Sequence, residues 1–376
     1  MEDKNTTIDL QLQDFLPWHK ARLKFLNLFI VSLIRNRNIS YSKNAATLNN
    51  RETCTNLLRI QRFFTKFSID FDVIAHLLVA IIPIKGPYQL SLDRTNWKFA
   101  GVNFNILCLT IVADNVSLPI LWTMLDKRGN SNQEERKLLI LRYIHLFSLE
   151  SIDCIIADRE FIGQEWFRFL INNPIKFYLR IRENLTVFHK GGELRVSWLF
   201  NNLPLNTIRQ IDKPILIGDQ WVYLTGMKII NKKSEIEFVI VATYQYDSQA
   251  MRLYAKRWRI ECFFKAIKTA GFNLEDTHLK DQKRLEKLLA VIAIAFVWVY
   301  LIGEYENQRK PIPILAHNRR AFSIFRYGLD NLIKALTFNN QIIKHYLQLL
   351  TRTQNQSIKN IRIDVTECIV QRPKKK

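Results

Sequence analysis

The sequence has few of the residues that build cross-links or metal clusters. Its five cysteines are odd in number and scattered without CxxC spacing, which argues against a disulfide framework or a zinc site and favours a reducing compartment. The seven histidines show no HxxxH spacing, so we expect most of them to be structural. A glycine-rich phosphate loop of the Walker type is also missing, which argues against an ATPase.

Apolar runs long enough to cross a membrane are missing as well. The unbroken run from Leu288 to Ile302 has 15 residues, short of the roughly 18 that a membrane span needs, and we interpret it as a buried helix. The start of the sequence, MEDKNTTIDL, is polar and acidic, unlike a signal peptide. We therefore expect a soluble intracellular protein without a membrane partner.

Acidic residues are scarce relative to basic ones. The 376 residues include 34 Asp and Glu against 55 Lys and Arg, which gives a formal net charge of +21. A charge this large on a folded chain points to a polyanionic partner, most often nucleic acid. The hydrophobic content of 48% with 12% aromatic residues excludes wholesale disorder, and the length allows two or three domains.

Residues 14–85 have helical periodicity throughout. In the predicted helix Arg51–Phe67, Arg59 and Arg62 share a basic face opposite an apolar face that contains Phe63 and Phe64. Such a helix could contact DNA phosphates or read a groove. An ordinary surface helix with a basic bias is the alternative.

From residue 87 the pattern changes to β-strands. Three strands joined by short connections predict an antiparallel meander, and the helix, strand, helix and strand that follow predict parallel pairing through helical crossovers. The strands are Tyr88–Leu92, Asn105–Ala113, Ser117–Leu125, Ile152–Ala157 and Ile175–Ile181.

This element order is that of a ribonuclease-H-like domain, so we predict an α/β (α+β) fold with a mixed sheet. The catalytic domain would span residues 86–305, with a β-rich insertion at about 183–246 before its closing helix. A helical DNA-binding region, 1–85, precedes it, and a basic helical region, 306–376, follows it.

Three carboxylates stand where this fold could bring them together. Asp93 and Asp158 follow two strands expected to be neighbours, and Glu261 lies on a predicted helix from Tyr254 to Lys268. Gathered carboxylates repel one another unless a cation lies between them, and Mg²⁺ prefers oxygen ligands. Each residue also has an ordinary interpretation: Asp93 as a turn or cap residue, and Asp158 as a partner of its neighbour Arg159.

The predicted helix combines Glu261 with a tyrosine and three cations on one face. At about 100° per residue, Tyr254, Arg257, Lys265 and Lys268 fall on the same side as Glu261. A solvated ion-pair face would have the same composition. The aspartates upstream favour a metal-dependent nucleotidyl-transfer site instead.

The spacing on this helix matches a known signature. Tyr254, Arg257, Glu261 and Lys268 fit Y-x2-R-x3-E-x6-K without a gap, and the blocks LDRTNW, ADREFIG and GFNLEDTHL add to the match. The chain resembles the DDE transposases of the fourth insertion-sequence family, which are bacterial cut-and-paste enzymes. The resemblance covers essentially the whole chain and is weakest at its two ends.

The resemblance implies a set of roles. Asp93, Asp158 and Glu261 would bind two Mg²⁺ (or Mn²⁺) ions, and the family cleaves DNA through a hairpin intermediate while a tryptophan of the insertion stacks on a flipped base. The implied DNA contacts are Tyr254, Arg257 and Lys268 at the phosphates and either Trp198 or Trp221 at the base. Three residues that follow the first aspartate are candidates to line the site: Arg94, Asn96 and Trp97.

We accordingly expect an active transposase that acts as a homodimer on double-stranded DNA, both transposon ends and target, in the bacterial cytoplasm at the nucleoid. The C-terminal helices are the expected dimer contact. The alternatives are a catalytically inactive DNA-binding protein derived from a transposase, and a stand-alone ribonuclease-H-like nuclease.

Overall fold

Four helices form the N-terminal part of the computed structural model, which describes residues 9–189, 191–316, 318–338 and 341–350. Buried aromatic side chains pack the first helix against the third, where the Phe25 ring contacts the Phe63 ring and the Phe63 ring contacts the Phe64 ring. Arg51 precedes the third helix rather than belonging to it. The helices are α1 (Lys20–Asn36), α2 (Tyr41–Thr47), α3 (Thr53–Lys66) and α4 (Phe71–Ile81).

The first five strands form the predicted mixed sheet. Their order is β3-β2-β1-β4-β5, with antiparallel pairing of β1 with β2 and of β2 with β3, and parallel pairing of β1 with β4 and of β4 with β5. This is the ribonuclease-H-like arrangement, so the predicted fold class is confirmed. The strands are β1 (Tyr88–Phe99), β2 (Val102–Val112), β3 (Ser117–Met124), β4 (Ile152–Ala157) and β5 (Phe177–Ile181).

Two helices make the parallel connections possible. Helix α5 (Gln133–Phe147) begins with a capping box, in which the Asn132 side chain accepts from the Glu135 amide and the Glu135 carboxylate accepts from the Asn132 amide. Helix α6 (Gln164–Asn172) buries Trp166 and Phe167 completely or nearly so. Helix α5 likewise buries Leu139, Ile140 and Tyr143, so both helices dock by an apolar side.

The predicted β-rich insertion extends this sheet. Strand β11 pairs antiparallel with β5, and the further strands continue from it to give eleven strands among the described residues. One predicted strand, Leu194–Phe200, is wrong in its second half, because a 3₁₀ turn, Val196–Phe200, follows the short strand there. The strands are β6 (Thr186–His189), β7 (Gly192–Arg195), β8 (Ile208–Gln210), β9 (Ile215–Ile217), β10 (Gln220–Ile230) and β11 (Ile236–Thr243).

The predicted continuous helix from Tyr254 to Lys268 is broken into three pieces. These are α7 (Ala250–Ala255), α8 (Trp258–Lys265) and a π-helical turn, Ala266–Ala270. At the break the amides of Lys256 and Arg257 bond to carbonyls three residues back, at 3.1 and 2.9 Å. These short-range bonds tighten the chain into a 3₁₀-type turn between α7 and α8.

A long apolar helix forms the centre of the C-terminal part. Helix α9 (Gln282–Arg309) is long and apolar enough to cross a membrane, since an 18-residue window of it has a mean hydropathy of 2.2, yet 89% of that window is buried within the protein. It packs closely on α10 (Ile324–Phe338), because a Cβ at Gly303 would lie 2.1 Å from the Ile324 carbonyl oxygen. The prediction of a buried helix is confirmed. Residues 341–350 are also helical, and the predicted tail beyond 350 lies outside the described residues.

Candidate active site

The two aspartates lie side by side where parallel pairing between β1 and β4 ends. The last pair in that register is Leu92 with Ala157, so Asp93 and Asp158 come next on neighbouring strands. The prediction that a strand ends at Asp93 is wrong. Strand β1 continues to Phe99 because β2 keeps pairing with it, and Asp93 faces Cys108 in that register. Only β4 ends here, and the chain leaves the sheet at Asp158.

The broken helix brings the third carboxylate to the same edge. Arg257 Nη1 donates to Asp93 Oδ2 at 3.0 Å and to Glu261 Oε1 at 3.3 Å. Because one nitrogen bonds to both, Asp93 Oδ2 and Glu261 Oε1 lie close together. The Tyr254 hydroxyl donates to Asp158 Oδ1 at 3.2 Å. The structure thus gathers Asp93, Asp158 and Glu261 around two side chains of the α7–α8 break.

Burial and mutual repulsion perturb the groups of this cluster. Burial raises the pKa of Asp93 to about 7, against the opposing effects of Arg257 and of the Arg94 amide, and the charges of Glu261 and Asp158 add to the rise. Burial and the Asp158 charge raise the pKa of Tyr254 to about 12. Burial disfavours the charge of Arg257, but the surrounding tyrosine and carboxylates outweigh it and raise its pKa. The ionised form of Asp93 is therefore disfavoured in this cluster, mainly by burial.

The donor set fits a hard divalent cation. Three carboxylates at one sheet edge are the oxygen ligands that Mg²⁺ and Mn²⁺ prefer, and a bound cation would offset the burial and the neighbouring negative charges that raise the pKa of Asp93. Among the described side chains no three His, Cys, Asp or Glu groups form a metal-ligand cluster, and the Arg257 guanidinium makes ion pairs with both Asp93 and Glu261. Ligation by all three carboxylates would require Arg257 to move aside.

The two lysines on this helix face, Lys265 and the signature residue Lys268, differ in their surroundings. Lys268 Nζ donates to the Asn96 carbonyl at 3.0 Å, pairs with Glu275 at 3.0 Å and lies 5.4 Å from the centre of the Trp97 ring. Trp97 is buried and stacks on Phe104, which agrees with a packing role. Lys265 is exposed on α8.

The two candidate tryptophans are exposed rather than core residues. The exposed fraction is 64% for Trp198 and 57% for Trp221. The turn that carries Trp198 is tied to the chain directly after β5, since the Ser197 amide donates to the Glu183 carbonyl at 3.2 Å. The end of β5 lies at the same edge as Asp158 because β4 and β5 are parallel.

Trp221 lies toward the opposite edge of the sheet. Strand β10 is antiparallel to β11, which is antiparallel to β5, so β10 runs parallel to β5. Trp221 is the second residue of β10, and the start of that strand points away from the carboxylates. Of the two tryptophans, Trp198 is on the side of the candidate site.

The N-terminal arginines belong to a different surface. Arg59 lies 5.2 Å from the centre of the Phe25 ring, and burial together with the charges of Arg51 and Arg22 lowers its pKa. Arg62 is exposed on the same helix, α3. These arginines form a basic surface on the N-terminal helices, and the structure does not bring them to the carboxylates.

Sequence reasoning missed three charged residues around the site. Arg180 on β5 pairs with Glu237 and lies close enough for the charges of Asp158 and Tyr254 to affect its pKa. Glu160 pairs with Arg94, and Glu275 pairs with Lys268. Glu160 and Glu275 stand inside the blocks ADREFIG and GFNLEDTHL, so the signal was present, but nothing local identified their partners.

Comparison with known proteins identifies the family. A family model described as the transposase DDE domain matches residues 83–298, whereas no curated protein matches the sequence. One solved structure, a piggyBac transposase synaptic complex with hairpin DNA, aligns with 96% of this chain and 81% of its own chain. The identity of 14% and the TM-score of 0.48 are too low to assign this chain a function.

Membership of the fourth insertion-sequence family stays a prediction, since the family model is broader than that group. The matched segment spans more than half of the chain and includes Asp93, Asp158 and Glu261. The chain belongs to the family of transposase DDE domains.

Proposed function

We propose that this transposase cuts DNA at the ends of an insertion sequence and joins them to a target, with Asp93, Asp158 and Glu261 as ligands of two Mg²⁺ (or Mn²⁺) ions. The observation that supports this most is the convergence of all three carboxylates on Arg257 and Tyr254. When bound, the two ions would activate the attacking oxygen and stabilise the leaving oxygen of the phosphodiester.

The signature side chains would exchange partners when DNA binds. Without DNA, Tyr254 contacts Asp158, Arg257 contacts Asp93 and Glu261, and Lys268 contacts Glu275. Phosphate oxygens are strong acceptors for these same donors, and an arginine can bind them with two parallel hydrogen bonds. Released from the carboxylates, the three side chains would hold the phosphates at the cleaved end.

Trp198 is the better candidate for stacking on an extruded base. It is exposed, and its turn is tied to the carboxylate side of the sheet, whereas Trp221 lies toward the other edge. Stacking of a base on an aromatic ring contributes roughly 1–3 kcal/mol, which would help to hold the strained DNA of a hairpin intermediate. Lys265 is exposed on α8 and is available to contact DNA phosphates.

The rest of the DNA contact would be electrostatic. The net charge of +21 and the exposed Arg62 beside the half-buried Arg59 support contact between α3 and the phosphates of the terminal repeat. A dimer holding two DNA ends in the bacterial cytoplasm, without a membrane partner, is part of the same proposal.

The test compares Glu261→Gln with Glu165→Gln, a surface glutamate that pairs with Arg168. With DNA carrying both insertion-sequence ends, Glu261→Gln should abolish Mg²⁺-dependent cleavage and leave end binding largely intact, while Glu165→Gln should retain both. The readouts are strand cleavage on sequencing gels and end binding by mobility shift.

Three results would contradict the proposal. Cleavage retained by Glu261→Gln would overturn the site. A wild-type protein that binds ends but never cleaves them would indicate the inactive DNA-binding protein. A wild-type protein that cuts DNA without regard to the ends and joins nothing would indicate the stand-alone nuclease.

A further inference from the structure

Arg94, the residue after Asp93, makes a bidentate ion pair with Glu160 on the other face of the sheet. Side chains alternate between faces along a strand, so Arg94 points away from the side on which Asp93 meets Arg257. Arg94 Nε donates to Glu160 Oε1 at 2.9 Å, and Arg94 Nη2 donates to Glu160 Oε2 at 3.0 Å. Only 12% and 18% of the two side chains are exposed. This is the planar geometry that a guanidinium and a carboxylate favour.

Glu160 follows Asp158 by two residues in the turn that leaves β4. The Phe161 amide donates to the Asp158 carbonyl at 2.8 Å, and the Phe161 ring is completely buried. Glu160 Oε1 also accepts from the Ser131 amide at 3.2 Å. The position of Glu160 is therefore fixed by a closed turn and by the loop before α5, and Asp158 belongs to the same turn.

The guanidinium of Arg94 is held on its remaining sides. Nη1 donates to Asn105 Oδ1 at 3.0 Å and Nη2 donates to Asn130 Oδ1 at 3.2 Å, so four of its five N–H groups have partners. Asn105 in turn donates to the carbonyls of Lys127 and Gly129 at 3.1 and 3.0 Å. Arg94 has a single well-defined position in this network.

The pair stands where backbone pairing stops. The β1–β4 register ends at Leu92 and Ala157, so no ladder hydrogen bond of that register holds Asp158 against Asp93. The Arg94–Glu160 pair connects the two chain segments one residue beyond Asp93 and two residues beyond Asp158. It is thus a side-chain link between the two aspartates at the point where the sheet no longer provides one.

We propose that Arg94 and Glu160 are positioning residues that set the separation of the Asp93 and Asp158 carboxylates for metal binding. This inference rests on the metal-dependent function proposed above. Neither residue touches the metal or the DNA in this role; each acts through the backbone of the aspartate beside it. Lysine cannot replace Arg94, because an ammonium group does not make two parallel bonds with one carboxylate.

The experiment measures Mn²⁺ binding to the full-length protein without DNA, by electron paramagnetic resonance. Outer-shell partners of metal ligands typically affect affinity by about 10–100-fold, so Arg94→Gln and Glu160→Gln should each raise the Kd for Mn²⁺ by about that factor. The double variant should be no weaker than either single one, since both remove the same link. Arg94→Lys should weaken binding although its charge is kept.

A matched control is Arg142→Gln, which removes an arginine paired with Asp72 and should leave the Kd unchanged. Thermal unfolding in EDTA identifies variants that fail to fold, and if Arg94→Gln is one of them, Arg94→Lys decides. Wild-type affinity in a folded Arg94→Lys or Glu160→Gln variant would overturn the positioning role.

The Asp93→Asn variant distinguishes failure of the positioning role from failure of the proposed metal site. If it abolishes Mn²⁺ binding while the Arg94 and Glu160 variants bind normally, the positioning role fails and the proposed metal site stands. If Asp93→Asn binds Mn²⁺ as the wild type does, the proposed metal site itself fails.

Discussion

Asp93→Asn should stabilise the metal-free protein, and the gain should grow with pH. Asp93 is buried, and its pKa in the folded protein is about 7 against an ordinary value of 3.8. Between these values the unfolded chain binds fewer protons than the folded protein at this site, so stability falls as pH rises. The stabilisation is fully present below about pH 3.8 and is lost as the pH passes 7. Asparagine has nearly the same shape and cannot ionise.

The size of the effect follows from the two pKa values. The difference between 3.8 and about 7 corresponds to about 4 kcal/mol at neutral pH, of which roughly half accrues between pH 5 and pH 7. This is an upper limit, because Arg257 and water can relax around the ionised carboxylate. A gain near 2 kcal/mol would still be a large fraction of the stability of a typical protein.

The assay is urea unfolding of wild type and Asp93→Asn in EDTA at several pH values from 5 to 8. The difference in the free energy of unfolding should increase across that range and level off above pH 7. Added Mg²⁺ should stabilise the wild type by about 2.7 kcal/mol at 100 times its Kd and should have little effect on the variant. A difference that stays constant from pH 5 to pH 8 would mean that Asp93 is not a buried carboxylate with a raised pKa.

Two further predictions concern DNA binding, and both are measured by fluorescence anisotropy over a series of salt concentrations. Glu275→Gln frees Lys268 from its ion pair and should strengthen end binding about two- to fivefold, the range expected for loss of a partly exposed pair; unchanged affinity would mean that Lys268 does not contact DNA. Arg62→Gln should weaken binding and reduce the salt slope by about 0.9 for the lost phosphate contact. Arg142→Gln, which removes the same charge from a residue already paired with Asp72, is the control and should leave the slope unchanged.

Local patterns were enough for the elements and for the identity of the carboxylates. Periods of two and 3.6 residues report which faces of strands and helices are buried, so the order of strands and helices around the sheet could be read directly. The spacing from Tyr254 to Lys268 made Glu261 the third candidate. The resemblance to DDE transposases added the role of each residue, which periodicity cannot supply.

Continuity of the α7–α8 segment could not be read in this way. Its sequence contains no glycine or proline, yet the helix breaks at Lys256 and Arg257. Lys256 and Arg257 keep right-handed helical backbone angles, and the interruption is a short turn with hydrogen bonds three residues back. The predicted helix placed Tyr254 and Arg257 on one face with Glu261, but it did not identify Asp158 and Asp93 as their partners.

The sequence by itself therefore determined the fold class and singled out the three carboxylates as candidates, because both depend on residue types at local spacings. The tertiary structure alone decided what lies between those carboxylates and what holds them. Arg257 meets Asp93 across 164 residues, Tyr254 meets Asp158 across 96, and Arg94 meets Glu160 across 66. Such pairs depend on strand register and on the path of the chain beyond each strand, and no short stretch of sequence encodes these.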